Sequence, residues 1–184
     1  MAQHRFPRLA LPVLTAALLL LPGAVRAQEQ YTFTVGLLGG FGGSVDADPG
    51  DDIDNTGFQL NFAVVTEPRT HVGIRAGRLA LDSSEQFGSL TDAELTYATV
   101  AGEYRFPQSY HESGMYIGLG GYRLDGTRGG QDESDTAVGL TLGVTGELKV
   151  NRWLGVLIEL SGHYTDLDEA NMFVMGHGGV AIHF

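Results

Sequence analysis

Apolar and polar residues alternate along most of the chain after residue 30. Because successive residues of a β-strand point to opposite sides, this alternation predicts strands with one apolar and one polar face. Eight segments of about nine to fourteen residues show it, and we expect strands at 31–43, 57–65, 71–81, 93–106, 115–124, 136–148, 153–164 and 172–184. Soluble strands most often have about five or six residues, whereas a tilted strand needs about 9–11 to cross a bilayer. The lengths therefore favour strands that span a membrane.

The polar faces of these segments consist mostly of small residues. In the sixth segment, Val138, Leu140 and Leu142 share one face, and Gly139 and Thr141 lie on the other. Small polar residues would make a poor core for a soluble barrel, but they fit the narrow lumen of a membrane barrel whose apolar face meets lipid. We therefore predict an all-β fold, an eight-stranded antiparallel up-and-down transmembrane β-barrel with a cramped, hydrophilic interior.

Segments three to five fit this scheme less well than the others. Arg78 and Glu103 alternate onto a face that elsewhere looks lipid-facing, which a β-bulge or a position at the barrel rim would explain. Aromatic residues cluster near the segment ends, as expected for rings at the membrane interfaces. At the end reached by the first strand, we expect rim or upper-wall positions for Phe41, Phe58, Tyr97, Tyr122, Tyr164 and Phe173.

The links between segments are of two kinds. Those after even-numbered strands are short, at 66–70, 107–113 and 149–152, and those after odd-numbered strands are mostly longer, at 44–56, 82–92, 125–135 and 165–171. The longer links carry 15 of the 22 Asp and Glu residues and one basic residue, Arg128. An up-and-down barrel gathers each kind at one end, so we expect short turns at one end and acidic loops at the other.

The beginning of the chain has the pattern of a secretory signal peptide. Two arginines precede an apolar stretch over residues 9–21, which Pro22 and Gly23 then break. We predict a cleaved signal peptide over residues 1–27 and a single barrel domain over 28–184. The chain has no cysteine, which excludes disulfides, thiolate metal sites and a cysteine-linked lipid anchor.

The last segment alternates up to a terminal aromatic residue. Val180, Ile182 and Phe184 share its apolar face, and we expect this strand to close the sheet against the first. Together with the signal peptide and the eight long segments, this ending resembles the small eight-stranded outer-membrane β-barrels of the porin family, of the OmpA transmembrane-domain, OmpX and OmpW kind. The resemblance implies that the three residues form a C-terminal insertion signal read by the barrel assembly machinery. It also implies a place in the bacterial outer membrane, in contact with lipid and lipopolysaccharide.

The resemblance also implies a class of function. It points to a non-enzymatic barrel that presents acidic surface loops for envelope integrity, adhesion or interaction. The alternative is a narrow porin-like channel for small solutes, or an OmpW-like path for apolar ones. After residue 27 the chain has 8 Lys and Arg against 22 Asp and Glu. That balance argues against nucleic-acid partners, which require a basic surface.

A set of charged residues alternates onto the predicted lumen face. Its members are Arg75, Glu147, Glu159, His163 and His177, with Arg123 as a further candidate. Side chains nearly fill the interior of an eight-stranded barrel, and an unpaired buried charge is costly. We therefore expect a structural network of ion pairs in the lumen rather than a conducting path, although pairs that exchange partners would also make a gate.

Catalysis on lipid is a weaker alternative. Ser161 and His163 share a face with Glu159, but residues i and i+2 of a strand lie about 6.5–7 Å apart along its axis. Direct contact between the hydroxyl and the imidazole therefore needs favourable rotamers. Small barrels that resemble lipid A deacylases carry a His-x-Ser-Asn motif, and this chain has the reversed Ser-Gly-His. We expect no enzymatic activity.

The first acidic link is a weak candidate for a metal site. Hard cations such as calcium prefer several oxygen ligands, and this link supplies Asp46, Asp48, Asp51, Asp52 and Asp54. The spacing does not match the helix–loop–helix calcium pattern, because Gly50 stands where a third oxygen ligand belongs. We expect a solvated acidic loop and no dedicated cofactor, with diffuse bridging by Ca²⁺ or Mg²⁺ as the alternative.

Overall fold

A computed structural model describes residues 32–45, 55–81 and 90–184, and these residues form a closed barrel. Each strand pairs antiparallel with its sequence neighbours, as predicted. The strands are β1 Phe33–Ser44, β2 Asn55–Glu67, β3 Thr70–Ala80, β4 Thr91–Pro107, β5 His111–Arg128, β6 Gln131–Lys149, β7 Leu154–Thr165 and β8 Met172–His183. No helix among these residues is long and apolar enough to cross a bilayer. The predicted signal peptide lies outside the described residues.

The last strand closes the barrel against the first, as the alternation at the chain end predicts. The pairing runs from Thr34 with His183 to Ser44 with Phe173. Each strand therefore has a partner on both sides, and the wall has no free edge whose backbone groups would lie unpaired in lipid.

We call the barrel end with the links after even-numbered strands the turn end, and the opposite end the loop end. At the turn end, two, three and four residues connect the strands, as predicted. At the loop end, the prediction of a long link over 125–135 is wrong. Strands β5 and β6 continue to a two-residue turn at Gly129 and Gly130, whose φ angles are +59° and +84°. Two successive positive φ angles give a turn that matches the twist of a hairpin, which explains why glycine occupies both positions.

Side chains alternate between the two faces of the wall. On β6, Leu142 is 60% exposed and Thr141 is 1% exposed. The outward side chains form an apolar belt that includes Leu37, Leu60, Ile74, Val100, Ile117, Leu119, Leu140 and Ile158. Soluble monomers rarely expose a continuous apolar belt of this kind, so it is the surface that meets lipid.

Three aromatic residues that we expected at the rim lie inside the barrel instead. Tyr97, Tyr122 and Phe173 are each at most 2% exposed. Phe41, Phe58 and Tyr164 do point outward near the loop end, and Trp153, Tyr104, Phe106 and Phe184 do so near the turn end. The interior at the loop end is therefore aromatic and aliphatic rather than hydrophilic.

The two irregular charges of segments three to five, Glu103 and Arg78, lie on opposite faces of the wall. The register of β4 shifts between Thr91 and Glu94, and Asp92 between them has φ of +53°. The alternation is unbroken from Ala93 to Arg105, so this irregularity does not set the direction of Glu103. Glu103 points into the lumen, and the expectation that it shares a face with lipid-facing residues is wrong. Arg78 does point outward, at the loop-end rim, where it pairs with Glu94.

Candidate functional site: the closed lumen

The turn-end half of the lumen holds a buried ion-pair network centred on Arg105. This side chain extends from β4, and carboxylates from β4, β5 and β6 surround it. Its nitrogens lie 3.0 Å from Glu103, 3.3 Å from Glu112 and 2.8 Å from Glu147. All four side chains are nearly inaccessible to solvent. One guanidinium thus compensates carboxylates from three neighbouring strands.

A second buried arginine extends the network toward the middle of the barrel. Arg75 on β3 lies 2.8 Å from Glu103 and 3.2 Å from Glu159. Its guanidinium also stacks 3.6 Å from the ring centre of Tyr116. Glu159 accepts further hydrogen bonds from the Tyr116 hydroxyl at 2.8 Å and from the Gln59 amide at 2.9 Å. Glu103 contacts both arginines, so the two clusters form one continuous network.

Cationic and neutral groups complete the network at the turn end. Lys149 lies 2.7 Å from Glu112, and His183 contacts Glu147. The Thr34 hydroxyl meets the other ring nitrogen of His183 at 3.0 Å. Each buried carboxylate therefore has a basic partner, which matters because an uncompensated charge in this interior costs several kcal/mol.

The structure brings together three of the predicted lumen residues, Arg75, Glu147 and Glu159, in this network. His163 is also buried, but its ring contacts the hydroxyls of Tyr122 and Ser161. His177 lies in the interior as the register partner of Glu159. The expectation for Arg123 is wrong, because its side chain lies on the outer face and pairs with Asp125. Val180, Ile182 and Phe184 share the outward face of the last residues.

Sequence reasoning missed the centre of the network. The sequence pattern predicts no role for Arg105, which stands near the end of the fourth segment. It places Glu112 in the link 107–113 and Glu103 on the wrong face. A signal was present, since Glu103 and Arg105 are two residues apart and share a face. Earlier on β4, the same face carries Tyr97 and Leu95, which look lipid-facing. This apolar stretch conceals that the face points into the lumen.

Ser161 and His163 approach each other more closely than their spacing along the strand suggests. The Ser161 hydroxyl lies 3.0 Å from one ring nitrogen of His163, and the Tyr122 hydroxyl lies 2.9 Å from the other. Both residues are nearly fully buried, and they point away from lipid. A nucleophile requires access to its substrate, so the contact belongs to the interior hydrogen bonding of the barrel.

The loop-end half of the lumen is filled by an apolar layer, which we call the apolar plug. Its members are Leu79, Leu81, Leu90, Ala93, Leu95, Tyr97, Tyr122, Leu124, Leu167, Ala170, Phe173 and Met175. The prediction of a hydrophilic interior is therefore correct only for the turn-end half. Between Arg75, Arg105 and Thr145, the network encloses a cavity of about 20 Å³, which is room for about one water molecule.

The predicted metal residues all belong to the first acidic link. Asp46, Asp48, Asp51, Asp52 and Asp54 lie outside the described residues. Within residues 32–45, 55–81 and 90–184, no three His, Asp or Glu side chains come together in a way that could hold a metal ion.

Comparison with known proteins places this geometry in a family. The family model for the outer membrane protein beta-barrel domain matches residues 14–179. Among solved structures, Neisserial surface protein A is similar over 85% of this chain and 100% of its own, with 16% identity and a TM-score of 0.68. Ail, the attachment invasion locus protein of Yersinia pestis, shares 19% identity over 83% of this chain and 97% of its own, with a TM-score of 0.56.

The N-terminal barrel of Pseudomonas aeruginosa OprF is also similar, with 11% identity, a TM-score of 0.61, and coverage of 84% of this chain and 100% of its own. At these identities the solved structures support the fold alone. No curated protein sequence matches the chain. The family model spans most of the sequence, so the chain belongs to the outer membrane protein beta-barrel domain family.

Proposed function

We propose that this protein is a non-conducting, non-enzymatic outer-membrane barrel that holds an acidic surface on the outside of the cell. The observation that supports the proposal most directly is the filled lumen. The ion-pair network occupies its turn-end half and the apolar plug its loop-end half. Solute passage would require both to move, and the network is tied to five strands through Arg75, Arg105 and their partners.

The orientation follows the general plan of bacterial outer-membrane barrels, which have short periplasmic turns and longer external loops. The turn end would then face the periplasm and the loop end the exterior. Export would use the signal peptide over residues 1–27, and the barrel assembly machinery would read Val180, Ile182 and Phe184 as the insertion signal.

The loop end carries the charge that a partner would meet. On the β5–β6 hairpin and the β7–β8 link, the acidic residues are Asp125, Asp132, Glu133, Asp135, Asp166, Asp168 and Glu169. Arg128 contacts Glu169, and the Asp168 amide donates to Asp135 at 2.8 Å, so hairpin and link support each other. Ail has been crystallised with the heparin analogue sucrose octasulfate, a polyanion. The acidic surface of this chain would repel such a ligand and favour basic protein surfaces.

The same carboxylates would attract divalent cations as a diffuse layer, without a dedicated site. Calcium or magnesium held in this way would bridge the protein to lipopolysaccharide phosphates. Equilibrium dialysis of the folded protein with calcium tests this part of the proposal. We expect weak retention that 150 mM salt abolishes, because diffuse attraction between exposed charges is screened. Retention that persists in salt would indicate a built site instead.

Single-channel recording in planar bilayers tests the main proposal. We expect no stable conductance steps from the purified protein, with a general porin inserted in the same bilayers as the positive control. Stable, reproducible steps would overturn the closed-lumen proposal and favour the alternative of a narrow channel. Binding of polylysine but not heparin to cells that display the barrel would support the proposed acidic surface.

A further inference from the structure

A groove on the lipid-facing wall combines small side chains with two arginines. It crosses β2 to β6 near the loop end and has a volume of about 690 Å³. Ala76, Ala98 and Gly121 are register partners on adjacent strands and form its floor. Leu60 and Val138 continue the same row on either side and form its walls. We call this feature the small-residue groove.

Two arginines stand at the loop-end margin of this groove. Arg78 on β3 and Arg123 on β5 are both register partners of Thr96 on β4. Since neighbouring strands are about 4.8 Å apart, the two backbones are separated by about 10 Å. Both arginine side chains are more than half exposed.

The placement of these arginines stands out because the chain has few basic residues. Eight Lys and Arg follow residue 27. Arg75 and Arg105 lie in the lumen, Arg128 lies beside the tip of the β5–β6 hairpin, and three others lie at the turn end: Arg69, Lys149 and Arg152. The remaining two, Arg78 and Arg123, stand above one groove.

The ion pairs of the two arginines fix the depth of the groove in the membrane. Nε of Arg78 donates to Glu94 at 2.8 Å, and Nε of Arg123 donates to Asp125 at 2.9 Å. Glu94 and Asp125 are register partners in the next outward row, so both guanidinium groups turn toward the loop end, as arginines do at a membrane interface. Each guanidinium faces its carboxylate with the Nε–Nη2 edge, which leaves the Nη1 corner for another acceptor. The groove floor lies below this level, in the hydrocarbon.

From this arrangement we infer that the small-residue groove binds lipid A, the phosphorylated, acylated glycolipid of the outer leaflet. One acyl chain lies across Ala76, Ala98 and Gly121, and phosphate oxygens accept hydrogen bonds from Arg78 and Arg123. Two arginines on backbones about 10 Å apart suit a lipid with two separate phosphates better than a phospholipid with one. The inference rests on the proposed orientation, in which the loop end faces outward.

A second lipid-facing groove supplies a matched control. It has about 760 Å³ and lies over Gly102, Ile117, Leu142 and Gly162, where every outward side chain is uncharged. A Cβ atom added at Gly121 in the first groove or at Gly162 in the second meets no heavy atom within 4 Å. Leucine at either position therefore fills its groove without displacing the backbone of the wall. Only the Gly121→Leu change should block lipid A.

The test is lipid A binding by the full barrel in phosphatidylcholine nanodiscs, with bound lipid counted by native mass spectrometry. We expect Arg78→Gln and Arg123→Gln each to weaken binding about tenfold, which equals about 1.4 kcal/mol. Gly121→Leu should weaken it by a similar factor, and Gly162→Leu should leave it unchanged. Glu94→Gln should strengthen binding, because it frees the Arg78 guanidinium and removes a negative charge. A purely structural role for the Arg78–Glu94 pair would not produce tighter lipid A binding in this variant.

Three further probes identify the ligand chemistry. Lipid A without phosphates, phosphatidylglycerol and inorganic phosphate should each bind at least tenfold more weakly than lipid A. Equal binding of phosphatidylglycerol, unchanged affinity in both arginine variants, or an equal loss in Gly162→Leu would each overturn the inference. Conductance recordings on the same purified protein in planar bilayers separate this result from the proposed function. If the barrel conducts and still shows the variant pattern, the lipid site stands and the closed lumen is wrong.

Discussion

Replacing Arg105 by glutamine removes the cation that three buried carboxylates share. Glu103 keeps Arg75, Glu112 keeps Lys149 and Glu147 keeps His183, so the carboxylates retain one basic contact each. Breaking a buried pair from one side typically costs about 3–5 kcal/mol, because a desolvated charge remains. We expect Arg105→Gln to lower the free energy of unfolding by about that amount.

The assay is reversible urea unfolding of the barrel in lipid vesicles, followed by tryptophan fluorescence of Trp153. With a urea dependence of roughly 2 kcal/mol per molar, the midpoint should fall by about 1.5–2.5 M. The matched control is Arg128→Gln, because Arg128 also contacts two carboxylates, Glu133 and Glu169, but is half exposed. Exposed ion pairs contribute about 0–1 kcal/mol each, so the loss of two should shift the midpoint by less than about 1 M.

A double variant identifies the cause of the loss. Glu147→Gln in the Arg105→Gln background removes one of the carboxylates that share the lost cation. The two changes should therefore cost less together than the sum of their separate effects, with a coupling of about 0.5–3 kcal/mol. Equal midpoints for Arg105→Gln and Arg128→Gln would refute the reasoning, because they would show that water reaches the network and screens its charges.

The remaining predictions concern the wall, the hairpin and the absence of catalysis. In the same urea assay, Leu142→Arg should lower the free energy of unfolding by about 2–4 kcal/mol. Thr136→Arg, in the row of Arg78 and Arg123, should lower it by about 0–1 kcal/mol. Equal costs would contradict the assigned depths. Gly129→Val should destabilise the β5–β6 hairpin by about 1–2 kcal/mol, because valine is strained at positive φ. Hydrogen exchange at the hairpin amides measures this change. Unchanged protection of these amides from exchange would contradict the turn geometry. Expression of the protein should leave the mass spectrum of cellular lipid A unchanged, and loss of an acyl chain that depends on Ser161 would reveal an enzyme.

The sequence pattern predicted the barrel well because alternation depends only on neighbouring residues. Each strand must expose every second side chain to lipid, so eight long alternating segments were visible without any knowledge of their partners. The short turns were visible for the same reason. The hairpin at Gly129 and Gly130 was also signalled locally, since two glycines between alternating residues favour a two-residue turn. The acidic residues beside them favour a loop by composition, but β5 and β6 carry these residues as paired strands.

The interior was harder to predict, because alternation separates two faces without saying which one is inside. On β6 the contrast between leucine on one face and glycine on the other shows which face points into the lumen. On β4 the inward face changes from Leu95 and Tyr97 to Glu103 and Arg105, so an apolar half and a charged half share one face. The change corresponds to the boundary between the apolar plug and the ion-pair network. Only the packing of several strands around one lumen makes this boundary visible.

Cysteine accessibility on β6 tests the central claim most directly, and the chain has no cysteine of its own. In vesicles, a nitroxide on Leu142→Cys should be relaxed strongly by oxygen dissolved in lipid and weakly by a water-soluble nickel complex. The adjacent Thr141→Cys should resist water-soluble thiol reagents until the barrel unfolds, because its side chain lies in the packed lumen. A Leu142→Cys label relaxed mainly by nickel, or rapid reaction of Thr141→Cys in the folded barrel, would contradict a wall that faces lipid around a closed interior.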